Sequence, residues 1–372
     1  MNKVSNRFYH IDLLEVIVML FVIIYHSMMY PSDFINDKTE ISYLGYYVSA
    51  ILSTCVPLFF FANGYLLLNK SFDLRKHVFK IVRFIVIAVV WGMIDLSMIL
   101  YITNETLSVS EFIKAVWKWD IHYGINVFWY LGALVCIYLL FPLIKIAYDN
   151  NKQIFMFFLG ICAILTFGNT LLNHLVSCGL YLVGYSSKVY NANFFNMFNV
   201  FKGIYGYAFV YFCIGGVIKY KENYIKEWIS KKKNIFIVSI VIVIVISSGI
   251  LSITGILLSN IADKRWDLVW NGYSTIPTLI NVICIYMLCL VYKARNERLR
   301  TIIKIISTST LGIYVIHMIF IKVTYNSIVE IIIACSFIEK VIINVFYAIC
   351  ILMICTIITQ IMKKIPLLKK IV

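Results

Sequence analysis

The chain has 372 residues, 62% of them hydrophobic and only 14% charged, with a mean hydropathy of +0.88. That composition excludes a soluble globular domain and places the chain among polytopic membrane proteins. A formal net charge of +15 would suit nucleic-acid binding, but the basic residues sit between the apolar runs. They are a topology signal, and no nucleic-acid partner is needed to explain them.

Lys3 and Arg7 precede the first apolar run, as they would in a signal peptide. The run is too long for that, holds Asp12, Glu15 and His26, and lacks a small-x-small cleavage site, so it reads as a retained first span. Ten spans are predicted, at about 11–30, 45–68, 78–100, 127–147, 154–174, 204–220, 234–257, 273–292, 305–325 and 339–362. Most of the 33 basic residues fall in alternate connections: Lys70–Arg83, Lys145 and Lys152, Lys219–Lys233, Lys293–Lys304 and the tail Lys363–Lys370. Ten spans with both termini in the cytoplasm is the only even-numbered count that keeps that alternation. The expected architecture is therefore an all-α, multi-pass protein, a single integral-membrane domain over 1–372 with no soluble domain attached. Its high Ile, Lys, Asn and Tyr content fits an AT-rich bacterial genome and hence a bacterial plasma membrane. The basic loops could also attract anionic membrane lipid.

The long outer segments 101–126, 175–203 and 258–272 hold Trp117, Trp119, Trp266 and Trp270. Such aromatics anchor a protein in the interface, and they can also stack on sugar rings. The ten cysteines lie mostly in apolar runs, with no CxxC pair or zinc spacing. They read as small apolar residues, and no metal site is expected.

Ionisable groups within a membrane helix are costly and mark functional candidates. Glu15 and His26 are eleven residues apart, about three turns, so they share a face and are separated by ~16 Å along the axis. His26 is the candidate general base. A base needs an orienting partner, and Asp95, at a similar depth in span three, is proposed for that role from depth alone. The second span contains Val56-Pro57-Leu58-Phe59-Phe60-Phe61-Ala62-Asn63-Gly64-Tyr65, where Gly64 would allow close helix approach and Asn63 is a polar residue without an evident packing reason. After that span, Arg75, Lys76, Lys80 and Arg83 form a basic group suited to phosphate. Phe128-Trp129-Tyr130-Leu131-Gly132 opens span four, and Tyr211 to Gly216 lies in span six. Ser309-Thr310-Leu311-Gly312-Ile313-Tyr314-Val315-Ile316-His317 lies in span nine.

These six stretches, in this order, resemble the acyltransferase-3 family of membrane acyltransferases, and within it the branch that O-acetylates surface polysaccharides. The likeness runs over spans one to nine. It implies a helical bundle around a buried acyl-transfer site, a cytosolic acyl-CoA donor and a glycan or lipid-linked sugar acceptor at the outer face. It matches His26 to the family's first-helix histidine, Lys80 and Arg83 to its basic pair, Trp129 to its span-four tryptophan, and Tyr314 and His317 to its late Tyr/His motif. The chain departs where the family carries a cation at the position of Glu15, a His just ahead of Trp129 (here Asn126, Val127 and Phe128) and a Ser at Asn63.

On this reading His26 deprotonates an acceptor hydroxyl, which attacks the thioester of acetyl-CoA, a co-substrate rather than a tightly bound cofactor. Asn63, Tyr314 or His317 would donate to the oxyanion, and Arg75, Lys76, Lys80 and Arg83 would hold the CoA phosphates. Two other classes remain open: a transporter or flippase that uses the same polar groups without chemistry, and a catalytically degenerate accessory protein in which Glu15 has abolished donor binding.

Overall fold

The computed structural model describes residues 7–119, 122, 124–185, 189, 195, 198–199, 205–292 and 296–372. Among these residues there is no β-strand. Lys3, Lys188, Lys202, Lys293 and Arg295, which contribute to the charge alternation, and most of the 175–203 connection lie outside the described residues.

The helices are α1 (Tyr9–Ser27), α2 (Phe34–Asp37), α3 (Glu40–Leu52), α4 (Cys55–Leu67), α5 (Leu74–Thr103), α6 (Val109–Lys118), α7 (Trp129–Asn150), α8 (Lys152–Ala163), α9 (Asn169–Leu182), α10 (Gly206–Ser230), α11 (Lys233–Ala262), α12 (Ile276–Val291), α13 (Glu297–Thr308), α14 (Thr310–Ile332) and α15 (Phe337–Met362). Eight helical stretches among the described residues are long and apolar enough to cross a membrane, and α12 is a shorter apolar helix. The molecule is an all-α polytopic membrane protein. Large apolar side chains such as Phe79, Leu143, Phe157, Ile253 and Ile357 stay exposed on its flanks. In water such a surface would be a liability, whereas in hydrocarbon it is the solvated face.

α1 is the hub. It is apolar on nearly every side, with Leu14, Val18, Met19 and Ile23 fully enclosed, and it packs against α3, α4, α12, α13, α14 and α15. A helix apolar around most of its circumference belongs in the middle of a bundle. Ser27 Oγ donates to Asn344 Oδ1 at 2.7 Å, which pins its end to α15.

Three predicted spans are helical but interrupted. The second is broken at Ser53 and Thr54, whose hydroxyls take the carbonyls of Ala50 and Ile51, both at 2.7 Å. Side chains that satisfy nearby carbonyls let the helix stop without orphaning backbone groups. Pro57 thus falls in the first turn of α4, where its missing N–H removes no bond. The fifth carries a π-turn at Ile164–Gly168 between α8 and α9. The ninth divides at Ser309 into α13, whose basic face is exposed, and α14, which runs past the predicted end to Ile332.

Gly64 meets α10, and there the sequence expectation of close approach has its cause. A Cβ at Gly64 would lie 1.7 Å from the carbonyl oxygen of Phe212, and one at Gly215 would lie 2.1 Å from that of Phe61. Each helix backbone rests on the other's glycine.

Pro142 sits inside α7 and deprives the Tyr138 carbonyl of its helical donor, a loss of about 3 kcal/mol when nothing replaces it. His77 of α5 supplies the missing bond, Nε2 to Tyr138 O at 2.7 Å. Other buried charge is also paired. Glu222 on α10 receives Lys219 at 2.8 Å, Lys226 and the Tyr65 hydroxyl, while His10 bonds Tyr65 at 2.9 Å.

The glycine contact generates a stability test. Gly215→Ala should lower the yield of folded, detergent-stable protein far more than Gly179→Ala, where a Cβ meets nothing within 4 Å. Equal thermal stability of the two variants would show that the α4–α10 contact can relax.

Candidate active site

The last turn of α1 opens onto a cavity of about 360 Å³. His26, Trp129, Tyr130, Arg265, Asp267 and Tyr314 all line it. The elements that bring them together are α1, the start of α7, α14 and the connection between α11 and α12. Among the described residues no side chain hydrogen-bonds the His26 ring, so its nitrogens remain available to a ligand.

His317 lies directly behind His26, with ring centroids 5.4 Å apart. It is 0% exposed, and its Nδ1 lies 2.6 Å from the carbonyl of Tyr314. A carbonyl can only accept, so Nδ1 carries the proton and Nε2 is a bare lone pair, with no partner among the described residues. His317 can therefore orient a proton on its neighbour but cannot donate to an oxyanion in this tautomer. Tyr314 is committed too, because its hydroxyl donates to Val127 O.

Asp267 is fixed by three hydrogen bonds, from the backbone N–H groups of Val269 (2.8 Å) and Trp270 (3.1 Å) and from the Tyr25 hydroxyl (2.8 Å). Arg265 reaches across to Ser32, with Nε to the carbonyl at 3.1 Å and Nη2 to the hydroxyl at 3.2 Å. Trp129 forms an aromatic wall with Trp270, edge-on at 4.9 Å, and with Tyr273, stacked at 5.9 Å.

A second cavity of about 230 Å³ backs onto the first and is lined by Glu15, Asn63, Ser307, Thr310 and Leu134. Phe59, Tyr130 and Tyr314 line both. Their rings are in contact, Phe59–Tyr130 at 5.6 Å and Tyr130–Tyr314 at 5.4 Å, and they form the partition. Asn63 braces it: Nδ2 bonds Phe59 O at 2.9 Å and the Tyr130 hydroxyl at 3.4 Å, while Oδ1 accepts from Tyr138 at 2.9 Å. Tyr130 accepts one bond and, among the described residues, gives none, so its own proton is unspent.

Glu15 is held by Ser307 Oγ at 2.6 Å. Ser307 also bonds Asp12 at 2.8 Å and receives Arg7 Nη2 at 2.9 Å, and Arg7 pairs with Asp12. A cation thus stands beside Glu15, supplied by Arg7, eight residues earlier in the chain, rather than from position 15 itself.

The structure corrects several expectations. Asp95 is buried, 2% exposed, but it does not line the His26 cavity. Its Oδ1 has no hydrogen-bond partner among the described residues, and the charge acting on it is Lys322, beyond His317 on α14. Depth fixes one coordinate of a helical residue and leaves its direction open. Asn63 belongs to the second cavity and cannot reach an oxyanion at His26 without the partition moving. Arg83 spends its guanidinium on the chain's tail, Nε to Lys370 O and Nη2 to Val372 O, both 2.9 Å, beside Trp91 Nε1 to Ile371 O at 2.9 Å. Lys76 is exposed and bonds Asp73 at 2.9 Å, a contact that holds that carboxyl below its usual range. Arg75 lies over Phe79. Of the basic group, Lys80 is the one set near the second cavity, over Tyr138 at 4.8 Å and Phe84 at 5.8 Å, and Phe84 lines that cavity.

Sequence reasoning singled out neither Arg265 nor Asp267 in the 258–272 segment and passed over Tyr130 inside a motif it quoted. The aromatic and charged mix of 265–270 was the signal. The family comparison matches residues 8–362, both cavities included, to a model described as an acyltransferase domain. Comparisons with curated proteins and with solved structures gave no match.

Because Arg83 clasps the tail, Arg83→Gln should speed trypsin cleavage after Lys369 and Lys370 by roughly tenfold, the equivalent of one charge-assisted hydrogen bond. Unchanged cleavage kinetics would show that Trp91 and packing hold the tail without it.

Proposed function

The chain belongs to the acyltransferase-3 family and is a membrane acyltransferase, and from that premise we propose that it carries an acetyl group from cytosolic acetyl-CoA to a hydroxyl of a cell-surface or lipid-linked glycan. The observation that carries this reading is the pair of cavities back to back, one holding His26 and the other lined by Glu15, Ser307 and Phe84, whose neighbours include Arg7 and Lys80. In this reading the basic end, with both termini, faces the cytoplasm of a bacterial cell and the His26 cavity faces outward.

CoA phosphates would rest near Lys80 and Arg7, with Arg7 compensating locally for Glu15. The pantetheine arm would lie in the second cavity and bring the thioester to the Phe59–Tyr130–Tyr314 partition. His26 takes the proton of the acceptor hydroxyl as its oxygen bonds the thioester carbonyl carbon. His317, whose bare Nε2 makes no bond to His26 in this structure, would accept the N–H on the far side of the His26 ring once the two rings approach, which keeps the basic nitrogen toward the cavity. The hydrogen-bond accounting favours Tyr130 as oxyanion donor over Tyr314 and His317: its proton is unspent, Asn63 polarises it, and it borders both cavities. Collapse of the tetrahedral intermediate breaks the carbon–sulfur bond, and the thiolate leaves with the proton held by His26. No acyl-enzyme is needed.

Two measurements test this reading on the purified protein in nanodiscs with radiolabelled acetyl-CoA. His26→Ala should cut acetyl-CoA turnover by about 10²–10⁴-fold while donor binding persists, the range for loss of a general base. Turnover that survives the change, or substrate movement across a vesicle with no acetylated product, would overturn the assignment in favour of transport. Tyr130→Phe should lower kcat by about 10²-fold with KM for acetyl-CoA little altered, as loss of one oxyanion donor does. A larger effect from Tyr314→Phe would move the donor role to Tyr314.

A further inference from the structure

Arg265 is a cation with half its hydrogen-bonding edge unused. Nε and Nη2 are spent on Ser32, and Nη2 also faces Met28 Sδ. Among the described residues Nη1 makes no hydrogen bond, and no carboxylate lies within 4.0 Å of the guanidinium. Asp267, two residues on, is not its partner, because that carboxylate is occupied by Tyr25 and the amides of Val269 and Trp270. Arg265 nevertheless lines the same cavity as His26, flanked by Trp129 and Trp270.

The guanidinium lies over the Tyr46 ring and shares its cavity with the Asp267 carboxylate, but its free edge has no paired anion, and an arriving one gains charge-assisted hydrogen bonds there. A neutral acceptor could be bound by hydroxyls and aromatic faces alone, and it would leave that edge without an anion. The guanidinium fork matches the two oxygens of a carboxylate or phosphate. We infer that the acceptor taken by the His26 cavity is an anionic glycan, whose carboxylate or phosphate is received by Arg265 while a nearby hydroxyl meets His26. This rests on the proposed acyl transfer, in which acetyl-CoA and the glycan hydroxyl give the glycan acetate ester and free CoA. The anion could come from a uronic acid or from a phosphate linked to sugar or lipid.

Three probes separate these sources: methyl glucoside, methyl glucuronide and glucose 1-phosphate. Each is offered with labelled acetyl-CoA to the protein in phosphatidylcholine nanodiscs, and each is also titrated calorimetrically without donor. Acetyl transfer to at least one anionic probe should exceed transfer to methyl glucoside by tenfold or more, with tighter binding in the same order. Whichever anion leads names the source. Arg265→Gln should collapse that ratio to near one. Arg265→Lys, which keeps the charge, and Ser32→Ala, which loosens the tie but leaves the cation, should both retain a preference. Equal use of the three probes, a preference that survives Arg265→Gln, or no binding of either anion would each overturn the inference. If acetyl-CoA turnover dependent on His26 were absent while the anionic probes still bound through Arg265, the acyl-transfer reading would fall and the anion site would stand.

Discussion

Hydrocarbon offers no hydrogen bonds, so a polar group placed in the bundle must find its partner in the protein or lack one for a reason. Most of the interior obeys the first alternative. Ser307 gathers Arg7, Asp12 and Glu15 into one cluster, Asn63 ties Tyr130 to Tyr138, and Glu222 draws in two lysines and a tyrosine. Four unspent groups converge. Nε2 of His317, the proton of Tyr130, the ring of His26 and one edge of Arg265 all lie on or just behind a single cavity. Isolated buried atoms elsewhere, such as Asp95 Oδ1, Ser252 Oγ and Asn344 Nδ2, also lack a partner among the described residues, but only here do several such groups face one cavity.

In the proposed reaction the partition of Phe59, Tyr130 and Tyr314 sets the geometry of transfer. It keeps two compartments apart, and Tyr130, whose hydroxyl proton is unspent among the described residues, borders both. A reaction that joins a donor from one side to an acceptor from the other needs such a boundary, because a continuous channel would leak either substrate and admit water to the thioester. Tyr314 gives its proton to the backbone at Val127, so the boundary is braced against the turn that precedes α7.

How far the sequence speaks depends on what kind of coordinate is asked of it. Apolar length is a one-dimensional property, and each predicted stretch is helical in the structure. The interruptions at Ser53–Thr54, Ile164–Gly168 and Ser309 were invisible, because they depend on local side-chain bonds and packing rather than on hydropathy. His26, Trp129, Tyr314 and His317 were legible through motifs whose spacing survives as shared space. Asp95 was misread because depth along a helix says nothing of azimuth, and Lys322 rather than His26 claimed it. Arg83 was misread because a cation at a helix end suits a phosphate and a carbonyl tail equally, and contact with the tail is a long-range fact. Arg265 and Asp267 come from a connection, where no periodicity announces direction.

The bond between His77 and the carbonyl that Pro142 leaves bare ties two helices that meet at the basic end of the molecule. Neither residue makes sense alone. Without the proline, the histidine would crowd a carbonyl already occupied, and without the histidine, the proline would open a hole in the ladder of α7. The two positions are therefore one unit of inheritance: a descendant can drop the kink only by dropping the imidazole with it, and any route that changes one first passes through a less stable intermediate.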